Sequence, residues 1–292
     1  MVVLNALSID VEEYFQVEAF ADVISPKDWD TFDSRVVQNT EKILFLLEKY
    51  GIKATFFCLG WVAKRYPYLI KKIVHQGHEI GSHGFSHRSL FRLTPKEFYK
   101  EAYTSKIILE DISGQLVRGF RAPTYSITDR TLWALEILAE IGYEYDSSIF
   151  PIRHDLYGFP KAPRFPFQVV LKGRTLNLIE FPLSTVTFGR INWPVAGGGY
   201  FRLFPYKLTR FFLMRINQRE ERPFIFYLHP WEFDPAQPRV KSIPFKSRLR
   251  HYVNLTKTEN KFKRLLEDFR FAPVGSIIQE LEKKRQIPAF EI

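Results

Sequence analysis

Residues 53–87 read KATFFCLGWVAKRYPYLIKKIVHQGHEIGSHGFSH, and this stretch decides the fold. An apolar run at 53–59 predicts a β-strand, and residues 61–76 have the apolar spacing of a helix that stops at Gly77. A second strand signal follows directly at 78–80. Strand, helix and strand in this order predict two parallel strands that are joined by a crossover helix.

The same alternation continues outward in both directions along the chain. Further helices are predicted at 34–50, 95–112 and 128–141, and Thr94 with Glu97 predicts a capping box at the start of the second of them. Further strands are predicted at 2–9, 117–120, 143–145, 224–228 and 271–274. The sequence therefore predicts an α/β fold, a distorted parallel (β/α) barrel of about seven strands.

One segment interrupts this alternation. Residues 150–222 are rich in proline and turn residues, contain further strand signals and include a glycine triplet at 197–199. We expect an irregular, β-rich insertion over the barrel rather than a separate domain. Residues 1–292 are then a single domain, in which 1–235 carry the catalytic motifs and 236–292 form a C-terminal extension that completes the barrel.

The composition indicates a globular protein with a large core, since 46% of the 292 residues are hydrophobic. A single cysteine, Cys58, excludes an internal disulfide bond and a zinc ribbon. The N-terminal sequence has no signal-peptide pattern, and no apolar run reaches the length of a membrane-spanning helix. The sequence-based expectation is a cytoplasmic protein.

The net charge of +10 favours contact with anionic surfaces. Basic residues are spread over predicted helix faces rather than gathered into one block, so we expect no specific binding of nucleic acid. The densest basic stretch, 241–250, alternates cations with apolar residues and is either a solvated face or a patch for an anionic surface or substrate. Peripheral contact with the inner face of a membrane follows as an expectation, whereas the oligomeric state is not predicted.

Reactive side chains follow the predicted strands, where a parallel barrel keeps its active site. These residues are Asp10, His83, His87, Arg121, Asp146 and His229. His83 and His87 are four residues apart, so one helical turn would direct both imidazoles towards a divalent ion. Zinc is the first expectation for such ligands, with cobalt, nickel or iron as alternatives, and a polar helix face is the competing interpretation.

The first strand ends in the acidic sequence DVEE, which offers a third ligand. In an extended chain Asp10 and Glu12 point to one side and Glu13 to the other. One of the first two carboxylates can bind a metal ion while the other acts as a base. The competing interpretation is a helix N-terminus made acidic to complement the helix dipole.

The order of the motifs DVE, SHGFSH, RAP, YDSS and LHP resembles the five motifs of the polysaccharide deacetylases of carbohydrate esterase family 4, the NodB homology domain. The resemblance spans about residues 1–235. The sequences LSIDVEEYFQVEAF, RGFRAPTYSIT and FYLHPWEFDP are similar to the branch associated with exopolysaccharide and envelope-sorting genes, which carries its own C-terminal extension.

This resemblance implies a metal-dependent hydrolase that removes N-acetyl groups from N-acetylhexosamine-containing polysaccharide, oligosaccharide or lipid-linked precursor. It makes Asp10 the general base, His229 the general acid, and His83 and His87 metal ligands. Arg121 would orient Asp10, and Asp146 would orient Arg121 or shape the pocket. The backbone N–H of Thr124 would help to hold the oxyanion.

The first motif departs from the family pattern. Most members read D-D, with the second Asp on the metal, whereas Val11 fills that place here and Glu12 is the nearest substitute. Relatives that hydrolyse cyclic ureides or imides without a metal also have an altered first motif, so a metal-independent hydrolase is one alternative. A saccharide-binding protein that has lost the chemistry is another.

Four further residues are candidates for the sugar groove. They are Tyr125, Glu180, Trp231 and Glu232. Aromatic faces in such a groove stack on pyranose rings, and core packing is the competing interpretation for the aromatic pair.

Overall fold

The computed structural model describes residues 3–155, 157–240 and 243–292. Val2 of the first predicted strand, and Lys241 and Ser242 of the basic stretch, lie outside the described residues. The strands are β1 (Leu4–Val11), β2 (Thr55–Cys58), β3 (Glu79–Ser82), β4 (Gly119–Phe120), β5 (Tyr145–Asp146), β6 (Phe167–Leu171), β7 (Arg174–Glu180), β8 (Thr185–Phe188), β9 (Ile191–Pro194), β10 (Ile225–Leu228), β11 (Arg270–Ala272) and β12 (Ala289–Glu291). The helices are α1 (Val36–Lys49), α2 (Gly60–Arg65), α3 (Pro67–His75), α4 (Pro95–Ser113), α5 (Trp133–Ile141), α6 (Gly198–Leu203), α7 (Tyr206–Arg219), α8 (Phe245–Tyr252), α9 (Leu255–Asp268) and α10 (Val274–Lys283).

A mainly parallel sheet organises the molecule and confirms the predicted α/β class. Its order is β10-β1-β2-β3-β4-β5-β7-β6-β12, and the seven strands from β10 to β7 run parallel. Within the described residues, β7 and β10 do not pair with each other. A bridge between Gly197 and Tyr227 and a hydrogen bond from Ile225 N to Ser184 Oγ (2.7 Å) place the chain around 184–197 beside β10 instead.

The central strands are apolar on both faces, as parallel strands covered by helices must be. Every residue of β1 after Leu4 is buried, and so are all four residues of β2. The main core cluster joins Phe56 of β2 to side chains from α1, α3 and α4. The capping box predicted for α4 is present, with Thr94 and Glu97 bonded reciprocally.

Two predicted helices differ from the structure in extent. The helix predicted at 61–76 is divided at Tyr66, because Pro67 starts a new helix and disfavours helical geometry in the residue before it. The helix predicted from residue 128 begins at Trp133 instead. Residues 128–132 form turns ahead of the helix, with Thr128 N donating to Thr131 Oγ1 (2.9 Å) and Thr131 Oγ1 donating to Ser126 O (2.7 Å).

The segment 150–222 contributes more than loops. It supplies β7 to the parallel sheet, β6 antiparallel beside it, the separate β8–β9 hairpin, and helices α6 and α7. The C-terminal part of the chain adds α9, β11 and α10, and β11, which overlaps the strand predicted at 271–274, pairs with β1. None of the described helices is both long and apolar enough to cross a lipid bilayer.

Candidate active site at the barrel mouth

Four strands of the parallel sheet bring the main candidate residues to one edge of that sheet. Asp10 and Glu12 come from the end of β1, His83 follows β3, Arg121 follows β4 and His229 follows β10. Parallel strands present their carboxyl ends on the same side, so residues far apart in sequence meet there. Together with His87, these residues form one cluster, which is buried except for the partly exposed His229.

Glu12, His83 and His87 form a group whose ligand atoms all lie within 4.8 Å of one another. Glu12 Oε2 is 2.6 Å from His87 Nε2 and 3.7 Å from His83 Nε2. Burial alone raises the pKa of Glu12, but the positive charges of His87 and His229 outweigh it and hold the pKa well below its usual value. Glu12 is therefore an ionised carboxylate beside two imidazoles.

The unbonded atoms of this group fit a divalent cation. Glu12 Oε2 is buried and lacks an aligned hydrogen bond among the described residues, although His87 Nε2 is so close. His83 Nδ1 lies 2.8 Å from the carbonyl oxygen of Arg121, which fixes its proton there and leaves Nε2 free as a ligand. Two imidazole nitrogens and one carboxylate oxygen form a donor set that suits zinc.

The two histidines do not lie on a helix, contrary to the sequence prediction. Residues 83–87 form a loop after β3, in which Gly84 (φ 74°) and His87 (φ 51°) have left-handed backbone conformations. The rings still converge, with centroids 5.2 Å apart. Glu101 of α4 holds the loop by accepting hydrogen bonds from Phe85 N (3.2 Å), Ser86 N (2.9 Å) and Ser86 Oγ (2.7 Å).

Arg121 is fully buried and fixes Asp10. Its Nη1 donates to Asp10 Oδ1 and to Ser8 Oγ, each over 2.7 Å. Its Nε and Nη2 donate to the carbonyl and hydroxyl oxygens of Ser147, both over 2.9 Å. Every side of the guanidinium is thus bonded, and Asp10 Oδ2 is left facing Tyr125 OH at 3.4 Å and His229 Nε2 at 3.9 Å.

His229 is held from behind by a carboxylate. Glu232 Oε1 is 2.8 Å from His229 Nδ1 and also accepts from His229 N over 3.0 Å, while Glu232 Oε2 pairs with Arg202 Nε at 2.6 Å. Burial lowers the pKa of His229, but the negative charges of Glu12 and Glu232 raise it to about 9. A protonated His229 therefore points Nε2 towards Asp10 and Glu12.

Two of the residues expected in the sugar groove have other contacts. Glu232 is fully buried against His229 and Arg202, as described above. Trp231 donates its Nε1–H to Glu12 Oε1 over 2.9 Å, and its ring lies between His229 and His251. These side chains support the reactive residues instead of forming a sugar-stacking surface.

Asp146 and Glu180 form a buried carboxylate pair. They are register partners on β5 and β7, and Asp146 Oδ1 accepts from Ser148 Oγ over 2.6 Å. Glu180 Oε1 accepts from the backbone N–H groups of Ser148 (3.2 Å) and Ile149 (3.0 Å). Burial, followed by the neighbouring Asp146 charge, raises the pKa of Glu180 well above its usual value. Among the described residues Asp146 has no hydrogen bond to Arg121 and interacts with it through its charge, whereas its neighbour Ser147 binds the guanidinium directly.

Strained backbone follows β4 next to Asp10. Thr124 (φ 60°) and Tyr125 (φ 52°) are consecutive residues with left-handed backbone conformations, which are uncommon for residues other than glycine. Thr124 Oγ1 is buried without a hydrogen bond among the described residues. Such backbone outliers gather at functional sites, and this turn directs Tyr125 OH towards Asp10.

Several supporting residues gave no signal in the sequence. Arg202 on α6 is 30 residues from Glu232, Ser147 lies in a loop, and Glu101 lies within a helix that reads as amphipathic. Only the strand order and the packing of α4 and α6 place them here. Ser147 lies within the motif YDSS, directly after Asp146.

Comparisons with known proteins agree with this arrangement. Residues 27–145 match the family described as polysaccharide deacetylase, and residues 147–279 match a domain of unknown function, DUF3473. The first match includes His83, His87 and Arg121, the second includes His229, and Asp10 precedes both.

A peptidoglycan-N-acetylglucosamine deacetylase of Bacillus cereus is 35% identical over 36% of this chain and 39% of its own length. A chitooligosaccharide deacetylase of Bradyrhizobium sp. is 34% identical over 34% of this chain and 43% of its own. The chain thus matches less than half the length of these curated relatives.

A solved structure from Mycobacterium smegmatis, assigned as a polysaccharide deacetylase, superimposes with a TM-score of 0.66. The superposition has 17% sequence identity and covers 98% of this chain and 92% of that one, so the two share a fold. The chain therefore carries a polysaccharide deacetylase domain that continues into a DUF3473 region.

Proposed function

We propose that this chain is a hydrolase of carbon–nitrogen bonds that removes N-acetyl groups from N-acetylhexosamine units in a polysaccharide, an oligosaccharide or a lipid-linked precursor. The observation that carries the proposal is the position of Asp10. One of its oxygens is bonded to Arg121, and the other faces His229, next to the cluster of Glu12, His83 and His87. By name, one of the relatives above is a peptidoglycan-N-acetylglucosamine deacetylase and the other a chitooligosaccharide deacetylase, which supports a glycan substrate.

We further propose that Glu12, His83 and His87 hold a divalent cation, with zinc favoured by the donor set. Bound there, the cation would supply positive charge that makes a nearby water more acidic and polarises the acetyl carbonyl. Val11 takes no part, because its side chain is buried in the main core cluster on the other side of β1. Glu12, one residue later, is proposed to take the ligand role that the resemblance gives to the second aspartate.

Asp10 is the general base in this scheme. Arg121 holds Oδ1, so Oδ2 is the oxygen that accepts a proton from the attacking water. The water oxygen forms a bond to the acetyl carbon, and negative charge develops on the former carbonyl oxygen. The backbone N–H of Thr124, on the strained turn beside Asp10, is proposed to donate to that oxygen.

His229 is the general acid. When the bond between the acetyl carbon and nitrogen breaks, Nε2 gives its proton to the nitrogen, which leaves as an amine while the acetyl group leaves as acetate. Glu232 accepts the Nδ1–H bond and therefore fixes the orientation that keeps Nε2 towards the substrate. Buried Arg202 in turn holds Glu232.

Acetate release from N-acetylglucosamine oligomers tests the proposal. We expect Asp10→Asn and His229→Ala to lower the rate by roughly 100-fold or more, with circular dichroism unchanged. Asp22→Asn is the matched control, because Asp22 forms only a surface pair with Arg92 (2.9 Å). Full activity in either site variant would exclude this mechanism.

Two alternatives give different results in the same assay. A metal-independent hydrolase of cyclic ureides or imides would keep its turnover after chelation and dialysis, and would act on those compounds instead. A saccharide-binding protein without chemistry would bind the oligomers in calorimetry and release no acetate. Loss of activity on chelation, with recovery on adding zinc, supports the proposal.

A further inference from the structure

Exposed apolar side chains lie together on the β8–β9 hairpin and on helix α7. On the hairpin, Phe188, Ile191 and Trp193 are exposed, the last two at 63% and 45%. On α7, Leu208 and Phe211 are exposed, Phe211 at 55%. A contiguous group of large apolar side chains that face solvent is typical of an interaction site. We call these five residues the hairpin–α7 surface.

The two elements form one continuous surface. Phe188 pairs with Ile191 across the hairpin and Val186 pairs with Trp193, so their side chains share one face. The ring of Phe188 contacts that of Phe212 on α7, with centroids 5.6 Å apart.

Residues 208, 211, 212 and 215 of α7 recur at the spacing of a single helix face. The guanidinium of Arg215 lies over the Phe188 ring at 5.1 Å and links the helix to the hairpin at this position.

Cations surround these apolar side chains. Arg190 lies at the hairpin turn, and Lys207, Arg215 and Arg219 lie on α7. None of these four has a carboxylate partner among the ion pairs of the described residues. Arg210, on the same helix, pairs with Asp268 at 3.0 Å. The surface therefore presents unneutralised positive charge around an apolar centre.

We propose that the hairpin–α7 surface docks the protein onto an anionic lipid bilayer. An anionic bilayer matches both features of this surface. Its hydrocarbon layer can receive the apolar side chains, and its negatively charged headgroups can pair with the surrounding cations. Aromatic rings such as Trp193 and Phe211 suit the headgroup boundary, while long arginine and lysine side chains reach the lipid phosphates. The docking is peripheral, and it acts independently of the chemistry at the barrel mouth.

Co-sedimentation of the full chain with vesicles tests this inference. We expect binding to phosphatidylcholine vesicles that contain phosphatidylglycerol, little binding to phosphatidylcholine alone, and weaker binding as salt is added. The double variants Trp193→Ser with Phe211→Ser, and Lys207→Glu with Arg219→Glu, should each weaken binding by at least roughly tenfold. Release of acetate from soluble oligomers should be unchanged in both.

Matched substitutions elsewhere serve as controls. Phe45 is 65% exposed on α1 and Lys71 is exposed on α3, so Phe45→Ser and Lys71→Glu make the same chemical changes on other faces. Unchanged vesicle binding in these controls supports the assignment. Absence of binding to anionic vesicles, or an equal loss in the controls, would overturn it. Self-association that Trp193→Ser with Phe211→Ser abolishes, with vesicle binding intact, would assign the surface to a second copy instead.

Discussion

Glu232 Oε1 lies 2.8 Å from His229 Nδ1, and the same carboxylate is bound through its other oxygen by the buried Arg202. The imidazole proposed as general acid is thus held by an ion pair rather than by a lone carboxylate. Burial opposes ionisation of Glu232, but the charges of Arg202 and His229 lower its pKa below the usual value. The pair is therefore charged at neutral pH and keeps His229 in one orientation.

The variant Glu232→Gln should lower kcat by at least roughly tenfold with a small change in KM, because His229 loses the partner that orients it. Glu232 also raises the pKa of His229, so its removal should let His229 lose its proton at lower pH. The alkaline limb of the kcat/KM profile then moves to lower pH. The measurement is acetate release from soluble oligomers across the pH range.

Glu41→Gln is the control for this prediction, since Glu41 pairs only with Lys72 at the surface (2.6 Å). Its pH profile should match that of the unmodified protein. Glu232→Ala should additionally destabilise the fold, because Arg202 would be left buried without its carboxylate. An unchanged alkaline limb in Glu232→Gln would argue against a role of Glu232 in positioning His229.

Neighbouring glutamates after β1 allow a sharp test of the cation site. Glu12→Gln should weaken zinc binding by more than roughly 100-fold, because an amide is a poorer ligand than a carboxylate. Glu13→Gln should leave zinc binding intact, since Glu13 instead accepts hydrogen bonds from Arg35 N (3.0 Å) and Val36 N (3.1 Å) at the start of α1. The Glu13→Gln substitution should instead lower the free energy of unfolding by about 1 kcal/mol, because the start of α1 loses a negative charge.

Metal content by mass spectrometry, zinc affinity by calorimetry and denaturant unfolding separate these two effects. Equal zinc affinity in the Glu12→Gln protein and the unmodified protein would remove Glu12 from the ligand set.

Trp231 is expected to tune the same site through its N–H group, which donates to Glu12 Oε1 over 2.9 Å. The variant Trp231→Phe keeps an aromatic ring between His229 and His251 but removes this donor. Zinc affinity should fall roughly 10-fold to 100-fold. Trp133→Phe on α5 is the matched control and should leave the affinity unchanged. A Trp231→Phe protein that binds zinc as tightly as the unmodified chain would contradict this expectation.

The parallel sheet and most of the residues at its carboxyl edge were predictable, for a simple geometric reason. Alternating strands and helices predict a parallel sheet, and residues that directly follow such strands must meet at its carboxyl edge. Asp10, His83, Arg121 and His229 meet there in the structure. The alternation of side chains along an extended strand also correctly separates Glu12 from Glu13.

The remaining contacts depend on packing that one sequence does not reveal. The helix expected for SHGFSH is absent because Gly84 and His87 adopt left-handed conformations and Glu101 binds the loop from a distant helix. Similarly, the pair of Asp146 and Glu180 forms because β7 lies beside β5, although its sequence reads as part of an irregular insertion.

The buried pair of Asp146 and Glu180 makes the stability of the fold depend on pH. Burial raises the pKa of Glu180 well above its usual value, so the folded protein holds a proton there that the unfolded chain has released. The contribution of protonated Glu180 to stability is therefore complete at pH values below the pKa that this residue has in the unfolded chain. As the pH rises from there towards the higher pKa in the folded protein, the free energy of unfolding falls by about 1.4 kcal/mol per unit of pH.

Glu180→Gln keeps the shape, still accepts from Ser148 N and Ile149 N, and does not titrate. Relative to the unmodified protein it should therefore gain stability as pH rises from about 5 to about 8. Denaturant unfolding at both pH values measures the difference, with Glu48→Gln on the exposed face of α1 as control. A difference between Glu180→Gln and the unmodified chain that stays constant with pH would show that Glu180 is ionised in the folded protein.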